Sequence, residues 1–284
     1  MRISTYIKKW FPVFALPTFL AFTLAFIIPF GMGLYLSFTS FRTVNDAHWV
    51  GVANYVTAFT ENNDFLHALW FTIRFTVVSV ILVNVLAFAL ATMLTKAIKG
   101  TNIFRAVFFL PNLIGGIVLG YVWQFIINGV LIKFFNQDLT YKSAYGFWGL
   151  VIVVNWQMIG YMMIIYIAAI QNIPGEIMEA AEIDAAGFWS KLIHVTLPMV
   201  ASSITICVFL TMSNCLKLFD QNLALTNGAP QNTTEGLALN IYRTFYNIRN
   251  HQGVGQAKAV VFFVVVAVIA YVQLRATRSK EVDG

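Results

Sequence analysis

Six long apolar stretches set the pattern of the chain: residues 10–39, 69–95, 104–127, 147–170, 199–219 and 257–274. Each approaches or exceeds the roughly 20 residues that a helix needs to cross the hydrocarbon core. The spacing predicts an all-α polytopic membrane protein, with about six transmembrane helices in a single domain over residues 1–284. Two connections, about 40–68 and 220–256, are longer than the others. Neither is large enough to build an independent core. The first stretch follows Arg2, Lys8 and Lys9 as a signal peptide would. It far exceeds the about 7–15 apolar residues of a signal h-region, so it is expected to stay as a helix. Pro12, Pro17 and Pro29 lie within it. Each removes a helix hydrogen bond, which predicts kinks or a turn at the membrane interface.

Composition narrows the class. Hydrophobic residues make up 59% of the 284 positions and charged residues 11%, against about 45–50% and about 25% in soluble domains. So few charges cannot cover a soluble surface of this size. A cytosolic enzyme, a secreted disulfide scaffold and a disordered chain are excluded. The 26 Phe, 7 Trp and 11 Tyr suit lipid-facing surfaces and interfacial belts. Cys207 and Cys215 are eight residues apart in one stretch, or about 12 Å along a helix, too far for a disulfide. The net charge of +6 comes from basic residues scattered beside the apolar runs. That distribution fits membrane orientation and argues against nucleic acid. With the N-terminus inside, the inner segments carry ten basic residues: Arg2, Lys8, Lys9, Lys96, Lys99, Arg105, Lys191, Arg275, Arg278 and Lys280. The outer segments carry six: Arg42, Lys133, Lys142, Arg243, Arg249 and Lys258. This bias predicts that both termini are cytoplasmic.

One inner segment breaks the rule. Residues 171–198 hold only Lys191, while Glu176, Glu179, Glu182 and Asp184 crowd the first half. Asn172 offers a helix cap and Pro174 suits a first turn. Glu176 would meet the positive end of the helix dipole, and Gly187 fits a C-terminal stop. The expected product is a short amphipathic helix with Ile173, Ile177, Ala180, Ala181 and Asp184 on one face. A second apolar segment, Phe188 to Val195, follows and is ended by Pro198. An ordinary solvated loop with helical character would look much the same. An Ala-rich face beside exposed Phe188 and Trp189 instead predicts a docking element for a cytoplasmic partner.

Glu179-Ala180-Ala181, Gly187 and Val195-Thr196-Leu197-Pro198 resemble the EAA loop of binding-protein-dependent ABC importer permeases. The chain departs from that pattern in two places. Ala185 stands where the family has Gly, and Val195 stands for Ile. Other segments, in order along the chain, resemble the carbohydrate-uptake branch, the maltose and multiple-sugar type. They are Gly51-Val52-Ala53-Asn54-Tyr55, Phe104-Arg105-Ala106-Val107-Phe108-Phe109-Leu110-Pro111 with Trp123, and Leu218-Phe219-Asp220. Leu225-Thr226-Asn227-Gly228-Ala229-Pro230, Thr233-Thr234-Glu235, Ile241-Tyr242-Arg243 and Gly255-Gln256-Ala257 continue the series.

The resemblance implies a permease of the bacterial cytoplasmic membrane. It would pair with a second permease, two ATP-binding subunits and an extracellular solute-binding protein. No Gly-x-x-x-x-Gly-Lys-Ser/Thr phosphate loop occurs in the chain, so ATP and Mg are expected in the partner subunits. Loop 171–198 would seat in the ATPase and transmit its closure to the spans. The coupling residues implied are Glu179, Ala180, Ala181, Ala186, Gly187, Phe188 and Trp189.

The substrate path is expected among polar residues within the spans, since these are expensive in lipid and turn inward. Asn84, Gln124, Asn155, Trp156, Gln157, Asn214 and Lys217 are the candidates. Helix–helix hydrogen bonding is the competing explanation for each, and Lys217 could pair with Asp220 at i,i+3. Gly116 and Gly120 form a small-xxx-small spacing suited to close helix packing. The four histidines make no metal-ligand spacing. Three other classes fit the chain less well. An importer permease for phosphate or peptide would lack the sugar-type segment near 218–235. An ion-coupled secondary transporter needs ionisable groups deep in the spans, where only Arg74 and Lys217 come close. An intramembrane enzyme needs a paired catalytic constellation, and none is seen.

Overall fold

The computed structural model describes residues 2–60, 64–96 and 100–278. Of the basic residues counted above, Lys99 and Lys280 lie outside the described residues, as do the side chains of Arg2, Lys8, Lys9 and Arg278. Helix α1 (Arg2–Phe22) runs through a π turn at Thr23–Ile27 into α2 (Ile28–Leu36). A two-stranded antiparallel hairpin follows, β1 (Thr39–Ser40) on β2 (His48–Trp49), then α3 (Ala53–Thr60). The long helix α4 (Asp64–Leu94) precedes α5 (Thr101–Phe109) and α6 (Gly116–Phe135), with α7 (Ser143–Gln171) after them. Next come α8 (Gly175–Ile183), α9 (Phe188–Lys191), a second π turn (Leu192–Thr196), α10 (Leu197–Met199) and α11 (Ala201–Leu216). Short α12 (Asp220–Leu225), α13 (Leu237–Asn247) and α14 (Gln252–Arg278) complete the chain.

Five helices are long and apolar enough to cross a membrane, or six if the bent pair Phe188–Met199 and Ala201–Leu216 is one span. The all-α polytopic expectation therefore holds, and three spans differ from it in detail. The first span is one continuous helical run in which Pro29 is absorbed by the π turn before it. Ile28 N–H bonds to the Thr23 carbonyl, one residue beyond the α-helical partner. This widening relieves the clash of a proline ring with the preceding turn. The same device recurs at Pro198. There Leu197 N–H bonds to the Leu192 carbonyl, so the helix passes through Pro198 and bends by 73° at the junction with α11. The expected stop at Pro198 is replaced by a bend. The third span, expected unbroken over 104–127, is split by a 3₁₀ turn at Leu110–Leu113 around Pro111.

The chain divides into two compact units, Met1–Asn62 with Ile241–Phe263, and Asn63–Asn240 with Val264–Gly284. In the first, Asn54 ties the hairpin to its neighbours: its Nδ2 donates to the Ser37 carbonyl at 2.9 Å and the Thr39 carbonyl at 2.8 Å. In the second, α4, α7 and α11 pack around Phe71, Phe75, Val83, Leu150, Met162 and Cys207. Cys207 and Cys215 are buried and unbridged. Asn84 stitches this core. Its Oδ1 accepts from the Tyr166 hydroxyl at 2.7 Å, and its Nδ2 donates to the Val80 carbonyl at 2.8 Å.

The small-xxx-small pair on α6 packs against α12, as its spacing suggested. A Cβ on Gly116 would lie 2.7 Å from the Asp220 Cβ, and one on Gly120 would lie 2.5 Å from the Ala224 Cβ. The short helix sits where only hydrogen atoms leave room for it.

Candidate functional site

Two features of the second unit join sequence-predicted residues. The first is a cavity of about 500 Å³ beside the middle of α7. Asn112, Val154, Gln157, Met158, Tyr161, Asn214, Lys217, Leu218, Phe219, Asp220 and Gln221 line it. Gln157 lies fourteen residues from either end of α7, or about 21 Å by helical rise. The cavity is therefore at mid-depth of a membrane-spanning helix.

Two interruptions of helix converge there. One is the segment 110–115 between α5 and α6, which carries Asn112. The other is 217–219 between α11 and α12, which carries Lys217. Non-helical backbone is tolerated at membrane depth only where protein buries it or a watery cavity receives it. Gln157 ties the first break to the start of α12: Nε2 donates to the Ile114 carbonyl at 3.0 Å, and Oε1 accepts from Gln221 Nε2 at 2.6 Å. Helix α11 has sixteen residues, a rise of about 24 Å against a core of about 30 Å.

Three of the seven expected path residues, Gln157, Asn214 and Lys217, line the cavity. The others do not. Asn84 and Asn155 bond within the helix core, Asn155 through Nδ2 to the Val151 carbonyl at 2.6 Å. Gln124 Nε2 holds the Leu225 carbonyl at 2.9 Å, and Trp156 stacks edge-on against Trp123 at 5.4 Å. Among the described residues Lys217 and Asp220 form no ion pair with each other. An i,i+3 pair needs one continuous helix, and here Lys217 caps α11 while Asp220 opens α12. Both side chains are left facing the cavity. Sequence reading missed Asn112, Tyr161 and Gln221 as lining residues. The signals available for the first and third were the Leu-Pro-Asn break and the short polar start of α12.

The second feature is the 171–198 loop. Its first helix starts at Gly175, with Pro174 as a cap that makes no side-chain bond. Asn172 instead closes the C-terminus of α7. The helix stops at Ile183, four residues before the glycine expected to end it. Ala185 takes the left-handed conformation at φ 54°. Its N–H bonds to the Glu182 carbonyl at 3.0 Å, and the Ala186 N–H bonds to the Ala181 carbonyl at 3.0 Å. This pair of bonds is a complete Schellman closure. Gly187 has φ −68°, and a Cβ there would meet nothing within 4 Å. The conformational demand falls on Ala185, the position where the resembled pattern has Gly. Glycine at 185 is expected to stabilise the loop by up to about 1 kcal/mol, because an L-residue in this region is strained. Slower amide exchange at Ala186 would report it, and Ala185→Val should shift exchange the other way.

The expected stripe is divided between the protein and the surface. Met178 and Ala181 turn toward the protein, while Ala180 and Asp184 are exposed. Met178, Phe188, Lys191 and Leu192 close a cavity of about 200 Å³ against Thr92, Thr95, Lys96 and Ile170. Lys96 Nζ sits 5.2 Å above the Phe188 ring. Outward, Glu179 and Gly187 are exposed, and Ile183, Phe188 and Trp189 are 85%, 54% and 70% exposed. Three large apolar side chains on one short loop are a poor solvent surface.

A mid-depth polar cavity among broken helices, with an apolar-tipped loop on the same unit, defines a multi-pass α-helical membrane transport protein. Residues 99–278 match the family described as binding-protein-dependent transport system inner membrane component. The chain belongs to that family. It is 41% identical to the probable starch degradation products transport system permease protein AmyD of Thermoanaerobacterium thermosulfurigenes, with 96% of each chain covered. It is 29% identical to the multiple sugar-binding transport system permease protein MsmF of Streptococcus mutans, over 97% of each. A chain of a solved bacterial ABC transporter that imports the acidic polysaccharide alginate has the same fold, with a TM-score of 0.82 at 20% identity, covering 98% of this chain and 99% of that one.

Proposed function

We propose that this chain is one membrane-spanning half of an ATP-driven importer that passes a neutral oligosaccharide into a bacterial cytoplasm. A solute-binding protein delivers the sugar outside, and two separate ATP-binding subunits hold ATP and Mg. A second permease completes the pathway, and both termini of this chain are cytoplasmic. The starch-product and multiple-sugar relatives support the cargo class. A solved neighbour in complex with a pentasaccharide-bound periplasmic protein supports the delivery step.

The observation that carries the reading is the mid-depth cavity. Its amides, the Tyr161 ring and hydroxyl, and the opposed charges of Lys217 and Asp220 suit a neutral ligand rich in hydroxyl groups. Amides and ions satisfy hydroxyls in both directions, and an aromatic face covers the apolar side of a sugar ring. The coupling residues Glu179, Ala180, Ala181, Ala186, Gly187, Phe188 and Trp189 meet the ATPase. Its closure rocks the spans as bodies about the bent α10–α11 junction.

Lys217 gives the cleanest test, because its side chain has no hydrogen-bond or ion-pair partner to lose among the described residues. A charged hydrogen bond is worth about 1.5–3 kcal/mol. Lys217→Met in the assembled importer should lower transport efficiency for the cognate sugar about tenfold or more, with thermal stability unchanged. Uptake in proteoliposomes measures it. Undiminished uptake removes the cavity from the path, and uptake that runs on an ion gradient without ATP overturns the importer reading.

A further inference from the structure

The first unit holds a second cavity, of about 380 Å³, lined by Arg42, Arg249, Asn250 and Gln252. Arg42 follows the first span and the other three residues precede or open the last. With the bent pair counted as one span there are six, so the end of the first and the start of the last fall on the same membrane face. Under the importer reading the cavity opens on the outer side.

Its positive charge is uncompensated. Arg42 Nε donates to Asn250 Oδ1 at 2.6 Å, which leaves the two Nη groups of the fork. Among the described residues neither Arg42 nor Arg249 has an ion pair. Asp46, the acidic residue beside Arg42 in the chain, is engaged elsewhere. Its Oδ1 accepts the backbone N–H groups of Thr43 at 2.8 Å and Arg42 at 2.9 Å, closing the turn Val44–Asp46. Those bonds, the Thr43 bond first, hold its carboxyl below the usual range. No carboxylate lines the cavity. The Gln252 Oε1 is buried without a partner, so this amide has a free end to offer a ligand. Two guanidinium forks facing one wet cavity repel each other until an anion separates them, and the fork geometry matches a carboxylate.

We propose that this cavity anchors a surface Asp or Glu of the solute-binding protein, held between Arg42 and Arg249. The inference rests on the importer reading above. A protein carboxylate is favoured over a lipid phosphate because all four lining residues are polar, and no apolar wall is present for an acyl chain. The pair steers the loaded binding protein to the outer face and sets its register there.

The test uses the assembled importer in phosphatidylcholine nanodiscs, with ATPase rate followed against the concentration of its sugar-loaded solute-binding protein. The double substitution Arg42→Glu with Arg249→Glu should raise the half-stimulating concentration at least about tenfold at low salt. It should also flatten the salt dependence while sparing basal and maximal rates. Arg42→Gln with Arg249→Gln should shift the curve less, in the same direction, and guards against misfolding of the reversed pair. Curves and salt slopes that match the parent in both variants overturn the proposal. So does a shift seen only in discs containing anionic lipid, which would mark a headgroup site. A parent complex that no loaded binding protein stimulates sinks the importer reading itself, and this proposal with it.

Discussion

Alanine at position 160 is expected to cost about 3 kcal/mol of folding stability, the upper part of the range for overpacking, and leucine to leave no folded chain in the membrane. Gly160 lies on α7 where α5 crosses it. A Cβ there would fall inside the envelope of the Phe108 carbonyl and lie 2.8 Å from the Phe109 nitrogen. These are backbone atoms, so no rotamer change can make room. The two helices would have to separate. That separation would also drag the 110–115 break, with Asn112 and the Ile114 carbonyl bonded to Gln157, away from the cavity. Transport should fall with stability. Thermal unfolding in detergent measures the loss, and Gly129→Ala is the control, because a Cβ at 129 meets nothing within 4 Å. Equal melting of the Gly160→Ala and Gly129→Ala proteins would refute the close-packing argument.

Trp189→Glu should have the second large effect, on assembly and not on folding. Trp189 is 70% exposed, and its ring contacts Phe188 at 5.3 Å. Nothing in the unit depends on it. In the complex it would be a buried aromatic anchor, the residue type whose loss at an interface costs about 2–4 kcal/mol. A carboxylate in that contact adds a desolvation penalty. The ATP-binding subunits should fail to co-purify, and sugar uptake should drop by two orders of magnitude or more, about the equivalent of 3 kcal/mol. The isolated chain should melt as the parent does. Normal co-purification would move the coupling contact away from Trp189. Ile183, 85% exposed on the preceding helix, would then be the next residue to change.

The spans were legible because a membrane imposes one strong rule. Every backbone polar group must be satisfied inside the segment, so about 20 apolar residues in a row have few alternatives to a helix. The loop 171–198 was legible for the opposite reason. Four acidic residues stand where positive charge belongs, and Phe188 and Trp189 follow them. Within that loop the turn was misplaced by two residues. Gly187 drew attention as the permissive residue, yet Ala185 carries the left-handed backbone. The helix ends at Ile183 with its two closing bonds from Ala185 and Ala186, which puts the left-handed residue two positions before the glycine.

The sequence by itself determined the class, the apolar spans and the acidic, apolar-tipped character of loop 171–198, since each depends on local composition and period. Only the tertiary structure decided which polar residues share a site. Asn84, Gln124 and Asn155 resemble Gln157, Asn214 and Lys217 in every property that a sequence displays. The first three make their bonds among the packed helices, away from the cavity, with the Asn155 Oδ1 left buried without a partner. The second three line a cavity, Gln157 and Asn214 while also hydrogen-bonded, because the helix breaks at 110–115 and 217–219 meet at the middle of α7. A polar side chain at membrane depth must find either a partner or a cavity, and the packing of distant segments settles which.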